Sequence, residues 1–143
     1  MSKGNTFETN LLALIFNATA IANLADNAAV SPLTNLAVAL HTADPGEAGT
    51  QATSETAYTG YARISVARTT GGWTVTGNSV SPVANIDFGE CTAVPGAAIT
   101  FFSVGPTGGG ATKIFYSGTV TPNITMAVGV IPRLKTTSTI TED

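Results

Sequence analysis

Past Leu33 the chain abandons helical spacing and becomes a series of short period-two segments broken by glycine, proline and asparagine, and this rhythm decides its fold class. Leu36, Val38 and Leu40 alternate with Ala and Asn, the pattern of a half-buried strand. Residues 61–69 alternate again, with Ala62, Ile64 and Val66 opposite Arg63, Ser65 and Ala67. Gly71-Gly72 marks a turn before a strand at 73–76, and Gly77-Asn78 marks another after it. A strand over 80–88 is weakened by Pro82, whose nitrogen cannot donate to a ladder. Strong strands are predicted at 98–104 and 113–120, and a last one at 133–141 with Leu134, Thr136, Ser138 and Ile140 on one face. Strands and helices do not alternate, which disfavours a doubly wound α/β fold. The expected class is mainly β: an antiparallel β-sandwich or partly open barrel with one N-terminal α-helix.

That helix is predicted over 5–27. Phe7, Leu11, Leu14, Ala18, Ile21 and Ala25 recur at spacings of three and four, giving one apolar face. Asn5 followed by Glu8 matches a helix-start capping arrangement. Asn23, Asp26 and Asn27 close the helix, and Pro32 enforces the exit. The segment 1–30 is expected to pack on the sheet or on a neighbouring subunit. No repeat of fixed period and no linker divides the rest, so residues 1–143 are expected to form a single β-sandwich domain. Residues 42–60 form a long loop, expected to be mobile and to serve as an inter-subunit arm.

Only 10% of the residues are charged, against about 25% in an ordinary soluble domain. Such a surface has little electrostatic protection against association, which suits a chain that lives packed against neighbours. The net charge is -3 and the six basic residues, Lys3, Arg63, Arg68, Lys113, Arg133 and Lys135, are scattered. No nucleic-acid partner is expected, because tracking phosphates needs a basic stripe. No apolar stretch approaches the roughly 20 residues of a membrane span. The apolar run at 11–16 is short, with Glu8 before it and Lys3 the only base in front, so it reads poorly as a secretion signal. The expectation is a chain made in the host cytoplasm with no membrane partner. Cys91 is the only cysteine and reads as a small buried side chain.

Chemistry finds little to build on. Any histidine-based triad or dyad would have to use His41, the only histidine. At a strand end beside a turn it reads instead as a structural residue bonding a loop carbonyl. One His and one Cys cannot make a zinc site. Oxygen ligands for calcium exist at Asp44, Glu47, Glu55, Asp87 and Glu90, but none follows a calcium-loop spacing. Asp44-Pro45-Gly46 also reads as turn chemistry. Residues 105–112 have the outer spacing of a phosphate-binding loop, yet Ala111 stands where lysine should, and the segment leads into a strand. Trp73, Tyr58 and Tyr61 could form a sugar-stacking platform, although large aromatics in β folds are more often core or interface anchors. No catalytic, cofactor-binding or metal residue is assigned, and no cofactor is expected.

The order LHTADPGEAG at 40–49, followed by E-x-x-Y-x-GYAR at 55–63, resembles small structural proteins of tailed-bacteriophage virions. The likeness continues through the glycine-rich segment 108–116 and the tail 132–143. The resemblance implies a virion part, either head decoration or tail-associated. The leading expectation is a non-enzymatic capsid decoration or cement protein on the outer capsid surface. Its partners would be the major capsid protein and copies of itself, for example in a trimer, with contacts from the N-terminal segment, the loop 42–60 and the tail 136–143. The alternative is a tail-associated or fibre module that contacts host glycans. Exposure separates the two, since a glycan site needs Trp73 or Tyr58 facing solvent.

Overall fold

A computed structural model describes residues 5–21, 33–106 and 113–142. The expected helix end at Asn23, Asp26, Asn27 and Pro32, and residues 107–112 of the glycine-rich segment, lie outside the described residues. One helix opens the chain, α1 (Asn5–Asn17). Nine strands follow: β1 (Asn35–His41), β2 (Ile64–Ala67), β3 (Trp73–Thr76), β4 (Ser79–Pro82), β5 (Ile86–Asp87), β6 (Ile99–Pro106), β7 (Tyr116–Ile124), β8 (Arg133–Leu134) and β9 (Ile140–Thr141). With 38% strand against 11% helix, the class is mainly β with antiparallel sheets and one N-terminal helix, as expected. No sheet among the described residues closes into a barrel.

The chain divides into two compact units, each assembled from separated stretches. The first comprises Met1–Asn35, Val66–Asn85 and Lys135–Asp143. In it, β3 and β4 form a hairpin with Thr76 opposite Ser79, and β9 pairs with β4. Gly77 has φ +59° at the first central position of the two-residue turn, where an L side chain would be strained. The amide nitrogen of Val83 donates to the Gly72 carbonyl at 3.0 Å, extending the hairpin past Pro82. The expected strand 80–88 is thus broken after Pro82, and its remainder forms β5 in the other unit.

Helix α1 packs on this hairpin, with Phe16 edge-on to Trp73 at 4.8 Å between ring centres. Both rings are buried. The buried stripe is Glu8, Leu12 and Phe16, and Phe7 is exposed, which corrects the expected face of Phe7, Leu11 and Leu14. The run LLALIF is apolar all round, so its spacing alone could not choose the inward side. The helix also stops well before residue 27. Continued helix would bring the amides of Ala18 and Thr19 to the carbonyls of Leu14 and Ile15. Instead the Arg68 guanidinium donates to both carbonyls and also to that of Leu33. A cation at this end also complements the helix dipole. Ala18 turns to φ +55° and the Thr19 amide closes on the Ala13 carbonyl at 3.1 Å.

The second unit comprises Leu36–Ser65 and Ile86–Leu134. Its sheet runs β2-β1-β6-β7, with β2 contributing its Ile64–Ser65 end. Leu36 pairs with Pro106 and His41 with Phe101 along β1 and β6, and β7 returns antiparallel to β6. Strand β1 is not half-buried as expected, since every residue from Leu36 to His41 is buried. A central strand is covered on both faces, and Ala37 and Ala39 are small enough for the second. The expected last strand at 133–141 is two short ones. β8 pairs with β5 in this unit, and β9 belongs to the first. The tail expected as a contact arm is tied down there: Asn78 Nδ2 donates to the Glu142 carbonyl and the Glu142 amide donates back to the Asn78 carbonyl, both at 2.8 Å.

Candidate functional site

The two motif segments at 40–49 and 55–63 converge in the second unit, where they form a clasp. His41 ends β1 with no solvent exposure. Its Nδ1 lies 2.9 Å from the Thr53 carbonyl, which can only accept, so Nδ1 carries the proton. Nε2 is therefore an acceptor, and the Ser103 hydroxyl on β6 donates to it at 2.8 Å. Gln51, also fully buried, donates from Nε2 to the Ala37 carbonyl at 2.9 Å and toward Ser103 Oγ at 3.4 Å. Burial lowers the pKa of His41 against smaller raising effects of the Thr53 carbonyl and Glu55, so the neutral ring is the stable one. His41 thus bonds a loop carbonyl, as its position in the sequence suggests.

A second layer holds the other end of the loop. Glu55 accepts from Arg63 through both oxygens, at 2.7 Å from Nε and 2.8 Å from Nη2. The Tyr61 hydroxyl donates to Glu55 at 2.8 Å and accepts from the Leu40 amide at 3.1 Å. Burial alone would raise the Glu55 pKa, but the hydrogen bonds from Arg63 and Tyr61 hold it below the ordinary carboxylate value. Backbone bonds close the layer, Thr42 amide to Ser54 carbonyl at 2.9 Å and Thr56 amide to Leu40 carbonyl at 3.0 Å. The segment expected to be a mobile arm is therefore pinned to β1 and β6.

The smaller motif residues have equally local reasons. Asp44 Oδ1 accepts from the Gly46 amide at 2.9 Å, the turn chemistry expected of Asp-Pro-Gly. Gly60 sits at φ +106°, and a Cβ there would lie 2.1 Å from the Glu90 carbonyl oxygen. The Tyr58 hydroxyl donates to the Gly89 carbonyl at 2.7 Å, and burial, with Cys91 nearby, pushes its pKa up to about 12.

The other candidates stay apart. Tyr58 and Trp73 are 2% and 3% exposed, so neither offers a face for a sugar to stack on, and both act as the core anchors that large aromatics in β folds more often are. Tyr58 packs edge-on against Tyr61, and Tyr61 stacks on Phe88. These aromatics were needed to fill small cores. Cys91 is fully buried. Asp87 pairs with Arg133 across β5 and β8, exposed to solvent. Among the described residues no three His, Cys, Asp or Glu side chains gather to hold a metal, and no helix is long and apolar enough to cross a membrane. Gln51 and Ser103 escaped the sequence reading, because a lone glutamine and a lone serine carry no spacing signal. Gly105 gives one after the fact: a Cβ there would meet the Gln51 side chain at 2.7 Å and the Lys113 carbonyl at 2.3 Å.

The class this defines is an antiparallel β scaffold whose loop 42–60 is held against β1 and β6. Residues 4–141 match the family described as Podophage GP4 fiber I protein gp80, and the chain belongs to that family. It is accordingly a tailed-phage virion structural protein. No curated protein matches it.

Proposed function

We propose that the chain is a non-enzymatic building block of a tail-associated fibre, and not a cement protein of the capsid lattice. The observation that carries this reading is the match to a fibre family over nearly the whole chain. The structure supports a mechanical role. The one histidine and its serine partner are sealed inside the second unit, where no substrate reaches them. The clasp converts a long polar loop into part of a stiff body, which is what a load-bearing element requires.

Host contact, on this reading, does not use Trp73 or Tyr58, which are committed to the cores. Gold-labelled antibody against the purified chain, applied to intact virions, tests the location. Label confined to fibres at the tail supports the proposal. Regular label over the capsid would overturn it and restore the decoration reading.

A further inference from the structure

One turn of the clasp lies on a strip of sheet made of small residues. Along β1 and β6, Ala37 pairs with Gly105 and Ala39 with Ser103, and paired residues on neighbouring strands share a face. Gln51 fills the space they leave, since a Cβ on Gly105 would meet its side chain at 2.7 Å. His41, two residues beyond Ala39 on the same strand, shares this face. Residues 50–53 form a turn in which the Thr53 amide donates to the Thr50 carbonyl at 2.9 Å, so Gln51 and Thr53 must move together. Ala52, Thr53 and Ser54 are exposed, although the Thr53 carbonyl touches the His41 ring. A single layer of chain therefore separates the imidazole from water.

The polar atoms under this layer match a neutral ring. Ser103 Oγ donates its one proton to His41 Nε2 and receives from Gln51. A second proton on the ring would make Nε2 a donor. Two donors would then face Ser103 Oγ, and its hydroxyl would lose the acceptor it now has. The Nδ1 bond to Thr53 survives, but one carbonyl does not replace the hydration of a cation. Two charged groups act on the ring: Glu55 favours its charged form and Arg63 opposes it, and burial outweighs Glu55. Tyr61 faces Glu55 and the Leu40 amide, and β6 carries no titratable side chain.

We propose that residues 51–53 are a proton-released flap: charging His41 lifts Gln51 and Thr53 off the β1–β6 face while the rest of the protein stays folded. Lifting the flap is the shortest way to bring water to the charged ring. The flap has an anchor on each side, because Thr50 bridges to Lys113 and the Ser54 carbonyl accepts from the Thr42 amide. Beyond Ser54, the fork between Arg63 and Glu55 stays ionised at the pH that charges His41, since the carboxyl titrates lower. The event is local and precedes acid unfolding. It does not depend on where the chain sits in the virion.

A nitroxide on Ala52→Cys in the full chain reads the flap directly, because position 52 is exposed and Cys91 is fully buried. Its mobility is followed from pH 8 to 4, with Trp73 emission recorded on the same samples as the sign of unfolding. The mobile fraction should begin to grow as pH falls through about 6.5 and rise up to about tenfold per pH unit, with Trp73 emission unchanged over that step. His41→Asn should abolish the step. His41 is the only histidine, so NMR of its ring reads the proton in the otherwise unaltered chain, and its midpoint should coincide with that of the label. A label that stays immobile until Trp73 emission changes overturns the proposal. So does a step that persists in His41→Asn, or a ring that takes its proton at a pH where the label does not respond.

Discussion

The imidazole Nε2 of His41 accepts from the hydroxyl of Ser103 at 2.8 Å across 62 residues of sequence, and neither side chain has any solvent exposure. This bond ties β1 to β6 from within, while the opposite ring nitrogen holds the loop at Thr53. Removing the ring takes the partner from two polar groups at once, the Thr53 carbonyl and the Ser103 hydroxyl. Together with the cavity left behind, His41→Ala should cost about 3 kcal/mol. Urea unfolding measures it, and a loss under about 0.5 kcal/mol would contradict the clasp.

The same ring sets a pH dependence. Folding lowers the His41 pKa from 6.5, so the unfolded chain takes up the proton first as pH falls. Its contribution to stability is complete above about pH 6.5 and is lost as pH drops through the folded value. Glu55, lowered from 4.5, contributes fully above that pH and loses its share below it. Stability should therefore fall in two stages on acidification, and His41→Asn should abolish the upper stage only. Urea midpoints collected from pH 3 to 8 check both.

Arg63 donates twice to Glu55, and a lysine cannot reproduce that fork. The side chains are 18% and 19% exposed, so the pair is discounted for screening. Arg63→Lys should cost about 1 kcal/mol and Arg63→Ala about 2 kcal/mol, with Tyr61→Phe coupled to either because all three share Glu55. A double-mutant cycle that proves additive would remove the shared network.

Arg68 ends α1 by occupying the carbonyls of Leu14 and Ile15. Arg68→Ala should fray the last turn and cost about 1–3 kcal/mol, since charged donors to those carbonyls are lost. Hydrogen exchange at residues 14–19 should speed up while β6 is unaffected.

The two units offer separate reporters. Trp73, the sole tryptophan, lies in the first and Cys91, the sole cysteine, in the second. Two of the four divisions between units fall inside β1 and β2, and the other two, 85/86 and 134/135, fall at the ends of β5 and β8. Trp73 emission and Cys91 reactivity toward a thiol reagent should therefore change in one coincident urea transition. Two separated transitions would mean independent folding.

Much of the fold was legible because period-two alternation is a local signal. β3 is found at its expected residues, and β2, β6 and β7 near theirs. The misses have physical causes. The helix end depended on Arg68, some fifty residues downstream, which no local spacing reveals. The tail split because Leu134 and Ile140 pair with different strands, although their alternation reads as one. Two of the crossings between units, 35/36 and 65/66, lie within strands, where composition gives no linker signal. At the site, His41 and Asp44 were readable from their turn context. The clasp was not, because Gln51 and Ser103 acquire meaning only once β1 and β6 are side by side.

Residues 42–60 belong to the body of the second unit and are not a free arm. Native-state hydrogen exchange at the Thr42 and Thr56 amides addresses it most directly, because these bond to Ser54 and Leu40 inside the clasp. Both amides should be protected to nearly the level of the β1–β6 core, and that protection should collapse in His41→Ala. Exchange of either amide at the rate of an unstructured peptide in the unaltered protein would contradict it.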